Sequence, residues 1–337
     1  MPKKKIRVAV VCGGLSSERD VSLKSGEQVA KSLPRKIYNV SKIEITKDGR
    51  WLLGKKSLTL FDPKAGIAQN DLKRFDVVFV ALHGKFGEDG KVQAILDVLG
   101  VPYTGSGALA SALGMHKEKT NEIIQSAGVL VPKFVSLSQR NAKNMRLIRI
   151  TVRRDIGYPC VVKPNESGSS VGITIVQNEK GLEEAIHEAF LEDASILIQK
   201  YIRGKELTCA VMGNSGTTAL HALPIVEIIP DGIFFDYNAK YLSKKTQEIC
   251  PANVNKRITR KVQELSKIVH QALGCDGLTR SDFILTSGGK LYFLEINTIP
   301  GLTEASLCPK EARAAGMSFG EFLDRQISLA LLKTSQK

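Results

Sequence analysis

Between Arg280 and Asn297 the sequence sets two carboxylates, an amide and a guanidinium on what reads as one β-hairpin. The runs Arg280-Ser281-Asp282-Phe283-Ile284-Leu285-Thr286 and Leu291-Tyr292-Phe293-Leu294-Glu295-Ile296-Asn297 flank Ser287-Gly288-Gly289-Lys290. A Gly-Gly pair between strand-like runs signals a two-residue turn. That turn pairs Asp282 with Glu295 and Arg280 with Asn297, all on one side of the ribbon, because side chains alternate along a strand. The other side takes Phe283 with Leu294 and Leu285 with Tyr292. Directly opposed side chains stand ~4.5–5.5 Å apart, and like charges there destabilise the pair. Two carboxylates and an amide oxygen so placed suit a hard cation, Mg²⁺ or Mn²⁺, with phosphate oxygens completing the shell. Taken alone, the segment also fits a solvated polar face on which Arg280 neutralises one acid.

A second group of residues suits phosphate. Lys163 ends the apolar run Val161-Val162-Lys163-Pro164, and Glu166-Ser167-Gly168-Ser169-Ser170-Val171-Gly172 follows as a loop of small residues. Glycine lets backbone N–H groups approach phosphate oxygens, and serine hydroxyls add donors. The loop is neither GxxxxGK[ST] nor GxGxxG, and by itself it also reads as a plain hairpin turn. Gln199-Lys200-Tyr201-Ile202-Arg203-Gly204-Lys205-Glu206 reads as a strand running between domains, with Glu206 available to ribose hydroxyls.

The elements that position these groups follow from periodicity. Ile6 to Cys12 and Phe75 to Leu82 are near-continuous apolar runs, as expected of buried parallel strands, ending at Gly13-Gly14 and His83-Gly84. Helices are expected over 22–33 and over Lys91 to Leu99, the latter stopped by Gly100-Val101-Pro102. Strand–loop–helix units of this kind build a doubly wound sheet that binds ligands beyond its strands' carboxyl ends. Further on, a helix over 116–127 and a basic helical connection over 136–157 lead into short strands at Cys160–Lys163, Gly172–Gln177 and Ile196–Tyr201, with a helix over 181–191. Strands near 206–212 and 220–228 precede a loop-rich stretch from Pro230 to Pro251. Ile258, Val262, Leu265, Val269 and Leu273 then form one apolar helical stripe, and a final helix is expected over 318–332.

Composition bounds the function classes. The 337 residues carry 48 Lys and Arg against 34 Asp and Glu, a net charge of +14. The cations are scattered and aromatics are only 6%, so a basic surface serving an anionic small substrate fits better than nucleic-acid binding. The six cysteines, at 12, 160, 209, 250, 275 and 308, form no CxxC pair, which points to free thiols and a cytoplasmic protein. No apolar run approaches the ~18 residues of a membrane helix. The stretch behind Lys3-Lys4-Lys5 is too short for an export signal and reads as the first strand.

In order along nearly the whole chain, these pieces resemble the D-alanine–D-alanine ligases of the ATP-grasp superfamily. The resemblance is carried by Gly13-Gly14-Leu15-Ser16-Ser17-Glu18-Arg19-Asp20-Val21-Ser22, by His83-Gly84 with Gly87-Glu88-Asp89-Gly90, and by Met115-His116-Lys117. It continues through Val162-Lys163-Pro164, Gly168-Ser169-Ser170-Val171-Gly172 and Asp236-Tyr237-Asn238-Ala239-Lys240-Tyr241, which is similar to the family's mobile loop. Arg280, Asp282, Glu295, Asn297, Pro300-Gly301-Leu302-Thr303 and Ser306-Leu307 complete it.

The resemblance implies a three-domain α/β ATP-grasp fold. Residues 1–105 would form a Rossmann-like substrate domain, 106–198 a central subdomain with the glycine/serine loop, and 199–337 a C-terminal subdomain with the metal hairpin. It implies ligation of two D-alanine molecules through an acyl phosphate, with ATP as substrate and two Mg²⁺ or Mn²⁺ ions, for peptidoglycan precursors. Lys117, Lys163 and Lys240 would neutralise phosphate. Gly168, Ser169 and Ser170 would cover it, and Gln199, Lys200 and Glu206 would hold the nucleoside. Asp282, Glu295 and Asn297 would bind metal. Glu18 would take the first substrate's ammonium and, with Ser169 and Tyr241, tie the loops together, while His83 would sit near that substrate's carboxylate. Arg280 and the Gly301 N–H would form the oxyanion site, and Ser306 with the Leu307 backbone would anchor the second carboxylate. Glu18 and Ser306 also fit simple helix caps, His83 a hydrogen-bonded strand end, and Tyr241 a core position. Gln199, Ala305 and Ser167 depart from residues common in the family. A homodimer is implied, without nucleic-acid or membrane partners. The alternatives are a D-alanine–D-lactate or D-alanine–D-serine ligase, and a nucleic-acid-binding protein on a degenerate ATP-grasp fold.

Overall fold

The computed structural model describes residues 4–61, 70–168, 172–230 and 246–334. Ser169, Ser170, Lys240 and Tyr241 lie outside the described residues.

The first sheet takes the buried runs seen in the sequence. Strands β1 (Ile6–Gly13), β2 (Tyr38–Ile45), β3 (Trp51–Leu53), β4 (Lys56–Ser57) and β5 (Val77–Val80) lie in the order β4-β3-β2-β1-β5, with β1 parallel to both β2 and β5. Helix α1 (Arg19–Ser32) follows β1, and α2 (Lys91–Leu99) ends where Gly100 adopts the left-handed conformation at φ +67°. Val8, Val10 and Phe79 pack on one side of the sheet, and Ala9, Val11 and Val80 on the other, all fully or almost fully buried. Burial on both faces is what continuous apolar strands demand.

Helix α4 (Lys117–Ser126) matches the helix expected over 116–127, and α3 (Ala108–Met115), which the sequence reading did not include, precedes it; His116 at φ −85°, ψ 92° separates the two and caps α4. The helical connection expected over 136–157 is present as α5 (Met145–Thr151) and the helical turn that continues it to Ile156, but strand β6 (Phe134–Ser138) takes its beginning. With β7 (Cys160–Pro164), β8 (Thr174–Val176), helix α6 (Leu182–Glu192) and β9 (Ser195–Lys200) they form a second, antiparallel sheet in the order β6-β9-β7-β8. Its core joins Val162, Ile196 and Ile198 to Ile148, Leu182 and Ile186 from the helices. Leu197, Gln199 and Lys163 alternate to the opposite face.

The third sheet runs β13-β12-β10-β14-β15, with β11 added on β10. Its strands are β10 (Lys205–Met212), β11 (His221–Ala222), β12 (Val226–Ile229), β13 (Gln247–Ile249), β14 (Leu278–Leu285) and β15 (Leu291–Asn297). Helix α7 (Lys256–Ala272) is capped by the Asn255 side chain and buries Val262, Leu265 and Val269 of the expected stripe. Ile124 and Val129 from the segment around α4 join the same core as Phe283 and Phe293. Helix α8 (Leu307–Ala314) was not legible as a helix, whereas α9 (Phe319–Thr334) was. The α9 side chains Phe322 and Ile327 pack with the first sheet's Val8 and Phe79.

The β14–β15 hairpin keeps two expected pairs and changes the rest. Arg280 faces Asn297 and Asp282 faces Glu295 as the spacing predicts, but Phe283 then faces Phe293 and Leu285 faces Leu291. The turn is one residue longer than Gly-Gly alone suggests. Thr286 N–H donates to Lys290 O and Gly289 N–H to Thr286 O, both at 2.9 Å, so 287–289 form the loop. Gly289 there has φ +78°, a conformation that glycine adopts without a Cβ clash. A β-bulge between Asp282 and Phe283 absorbs the slip and leaves Leu294 as the extra residue. The bulge keeps the acids opposed while Phe283 and Phe293 meet edge to face at 5.8 Å.

Candidate active site

The hairpin carries the charged heart of the site. Arg280 Nε and Nη2 donate to Asp282 Oδ1 and Oδ2 at 2.9 and 2.8 Å, and Thr208, opposite Asp282 on β10, donates to Oδ1 as well. Burial opposes the Arg280 charge, but Asp282 overcomes it and holds the guanidinium protonated. Asp282 is only 5% exposed, so the solvated-face reading fails, although Arg280 does neutralise this acid. Oδ1 accepts two of these hydrogen bonds and Oδ2 one, which leaves a lone pair of Oδ2 for a cation. Glu295 and Asn297 line the adjoining cavity. This hard-oxygen donor set fits a divalent cation that also binds phosphate oxygens. Among the described residues no cluster of three or more His, Cys, Asp or Glu could hold a metal, so the amide and a phosphate have to complete the shell.

That cavity, about 530 Å³, lies where the three sheets' loops converge and is of small-molecule size. Glu18 enters it from the front of α1. Its side chain makes no cap bond. It stands instead between two loops, since a Cβ placed on Gly168 would lie 2.6 Å from Glu18 Oε1 and one on Gly84 would lie 3.1 Å away. From the opposite wall come Gly301 and Ser306, and a Cβ on Gly301 would lie 2.8 Å from Ser306 Oγ. Ser306 occupies the N-cap position of α8 without making the cap bond. Its Oγ instead meets Thr303 Oγ1 at 2.8 Å and accepts from Thr303 N–H at 3.2 Å. The Leu307 N–H opens α8, and such helix-start groups attract carboxylates.

His83 is 4% exposed, and both ring nitrogens are engaged: Nε2 meets Ser25 Oγ at 2.9 Å and Nδ1 meets Ile299 O at 3.2 Å. It is thus a hydrogen-bonded strand-end histidine as well as a cavity residue. Burial works against its charge, but Glu88, and Glu18 beyond it, leave its pKa raised. Burial likewise raises Glu88, with His83 opposing.

Two lysines approach from the central sheet. Lys117 begins α4, and its Nζ donates to Ser167 O at 2.6 Å. Lys163, on β7 and 6% exposed, has its pKa lowered to about 8 by burial first and by Lys117 second, with Glu295 opposing. Gln199 is 2% exposed on the same sheet face, and its Nε2 has no partner among the described residues. Lys200 closes β9 on the other face, and Glu206 lies near the start of β10. The cavity wall unites Glu18, His83, Lys117, Gly168, Arg280, Glu295, Asn297, Gly301, Ser306 and Leu307; Lys163, Gln199, Lys200, Glu206 and Asp282 lie outside it. It also includes Glu88, Lys24 and Glu248, to which sequence reasoning gave no role. Only Glu88 had a signal, the Gly87–Gly90 motif.

Comparison with known proteins agrees with this arrangement. The family model described as "D-ala D-ala ligase N-terminus" matches residues 7–106, and "D-ala D-ala ligase C-terminus" matches 123–328. A D-alanine--D-alanine ligase of Syntrophobacter fumaroxidans is 41% identical over 98% of this chain and 99% of its own. One of Trichlorobacter lovleyi is 38% identical over 99% and 97%. Among solved structures, the VanG D-Ala:D-Ser ligase from Enterococcus faecalis superposes with TM-score 0.85 at 31% identity, covering 97% of this chain and 100% of that one. The D-alanine-D-alanine ligase from Coxiella burnetii gives 0.84 at 30% identity, over 98% and 95%.

Proposed function

The chain belongs to the D-alanine–D-alanine ligase family of ATP-grasp enzymes, and from that premise we propose how its residues divide the work of joining two D-alanine molecules. The enzyme is an ATP-dependent carboxylate–amine ligase serving peptidoglycan precursor synthesis. The reading is supported by one observation: Glu18 against Gly168, Arg280 beside Glu295 and Asn297, and Gly301 against Ser306 surround a single small-molecule cavity, with Asp282 paired to Arg280.

In the first step a carboxylate oxygen of one D-alanine attacks the γ-phosphorus of ATP, and the bond to the β-phosphate oxygen breaks. Lys117, Lys163 and Lys240 neutralise the phosphates, Ser169 and Ser170 cover them, and Gln199, Lys200 and Glu206 hold the nucleoside. Asp282, Glu295 and Asn297 would hold Mg²⁺ or Mn²⁺, two ions in all, whose chemistry would be to offset negative charge on phosphate. Glu18 binds the first substrate's ammonium and joins Ser169 and Tyr241 in closing the loops. His83, both nitrogens engaged, sits near that substrate's carboxylate.

In the second step the amine of another D-alanine attacks the acyl carbon. Arg280 and the Gly301 N–H face the developing oxyanion, where fixed donors act in a site shielded from water. The bond from the acyl carbon to the phosphate oxygen breaks, phosphate leaves, the nitrogen gives up a proton to solvent, and the peptide bond remains. Ser306 and the Leu307 N–H anchor the second carboxylate.

We assign the structural units as 1–105, 106–198 and 199–337, supported by one sheet falling mainly within each. Among the described residues no helix is long and apolar enough to cross a membrane. The reading includes a cytoplasmic homodimer, which a measured solution mass tests.

The deciding experiment is phosphate release from ATP and Mg²⁺ with D-alanine, L-alanine or no amino acid. Release that requires D-alanine supports the reading, and release indifferent to it ends it. Because one of the similar structures is a D-Ala:D-Ser ligase, product analysis with D-serine and D-lactate as competing acceptors belongs in the same experiment.

A further inference from the structure

The loop joining β5 to α2 folds back on itself. Gly84 O accepts the N–H groups of Gly87 and Glu88 at 3.1 and 2.9 Å, Gln93 Nε2 holds Gly87 O at 2.7 Å, and Asp89 Oδ2 accepts Phe86 N–H at 2.9 Å. These bonds bring Glu88 back to His83, with Oε1 3.6 Å from Nδ1. The same nitrogen meets Ile299 O, two residues before Gly301, while Nε2 meets Ser25 Oγ.

A neutral imidazole carries one N–H, and the neighbours of its two nitrogens decide which. Ser25 can either donate to Nε2 or accept from it, so it fixes no tautomer. The Ile299 carbonyl only accepts, and Glu88 as a carboxylate only accepts, so both require the proton on Nδ1. Across the β15 end, Ile299 is followed by Pro300, whose ring fixes its own φ and ties the Ile299 carbonyl to the peptide that presents Gly301.

We infer that Glu88 is a positioning residue for ligation: through His83 Nδ1–H it holds the Ile299 carbonyl and thereby the Pro300–Gly301 segment. The charged groups facing His83 are Glu88 from its own loop and Glu18 from the front of α1, with Arg280 on β14 facing Glu88. Ser25 on α1 completes the surroundings. The inference rests on the ligase reading, in which Gly301 serves the oxyanion.

Two measurements test it. In wild-type enzyme, ¹⁵N spectra of labelled histidine should show His83 protonated at Nδ1; a neutral ring protonated only at Nε2 would overturn the inference. In kinetics with ATP and D-alanine, Glu88→Gln should lower kcat about tenfold or more, the effect of losing the charged group beside His83 Nδ1, with KM for ATP within about twofold. In a His83→Gln background the same change should cost less than about twofold further, because residues acting through one another are not additive. Equal losses in both backgrounds, or a Glu88→Gln enzyme at wild-type rate, would also overturn it. If wild-type turnover proves independent of D-alanine, the ligase reading fails, and that result is separate from the spectrum and from the mutant cycle.

Discussion

Glu18 Oε1 stands so close to Gly168 that a single added methyl carbon would lie 2.6 Å from it. The contact joins the front of α1 to the serine-glycine loop, elements from two different sheets. A carboxylate placed there can bind a substrate ammonium and register closure of the loop at once.

Gly168→Ala should therefore disturb catalysis more than folding. The new methyl must push Glu18 aside, and Glu18 is positioned by the α1 backbone rather than by a cap bond. The expected result is a loss of kcat/KM for D-alanine of roughly ten- to a hundredfold, since small displacements of positioning groups carry such costs. The thermal midpoint should fall only slightly. Steady-state kinetics beside a melting curve check both; unchanged kinetics would show that Glu18 does not act through this contact.

Asp282 and Glu295 face each other but should fail differently. Asp282→Asn removes the charge that Arg280 relies on, and breaking one side of a buried ion pair costs about 3–5 kcal/mol. Glu295→Gln leaves that pair intact. Both variants should lose ligation, but only Asp282→Asn should unfold markedly earlier in denaturant. For Glu295→Gln, residual activity should need a higher Mg²⁺ concentration than wild type. Full activity in both at ordinary Mg²⁺ would remove the metal assignment.

Lys163 supplies a pH signature. Its pKa is lowered to about 8 by burial and by Lys117, so the free enzyme loses this cation as pH rises through that value. In the proposed reading ATP binds the charged form. Hence kcat/KM for ATP, which reports the free enzyme, should be flat below about pH 8 and fall toward tenfold per unit above it. Lys163→Arg should flatten this limb, because the guanidinium stays charged across the range. A wild-type profile flat to pH 9.5 would contradict the assignment.

Much of this site was readable from local pattern. Strand alternation alone predicts Asp282 opposite Glu295 and Arg280 opposite Asn297, and both pairs are present. The register nearer the turn was not readable, because Ser287-Gly288-Gly289-Lys290 accommodates either a two- or a three-residue loop, and only the packing of Phe283 on Phe293 decides. Helix α8 was hidden by Pro309, which looks like a breaker but lies in the first turn, where proline is tolerated. Strand β6 was hidden because it is an edge strand with every residue half-buried, which leaves no alternation to see. Glu88 was marked only as part of the Gly87–Gly90 motif; its approach to His83 depends on a loop held by Gln93 from the next helix, a tertiary effect with no local trace.

The far wall of the cavity yields the last prediction. In the proposed reading Ser306 Oγ and the Leu307 N–H are separate donors to one carboxylate, the first a side chain and the second part of the backbone. Ser306→Ala removes only the first. Losing a hydrogen bond to a charged group costs about 1.5–3 kcal/mol, so affinity for the second D-alanine should drop roughly ten- to a hundredfold. In the same reading the first D-alanine site is built around Glu18 and His83 and should stay within about twofold. Rates measured across a wide D-alanine range separate the two affinities. D-serine and D-lactate carry the same carboxylate, so the variant should weaken all acceptors alike and leave their ratio unchanged. A shift in that ratio would mean that Ser306 reads the acceptor's side chain or nucleophile instead of its carboxylate.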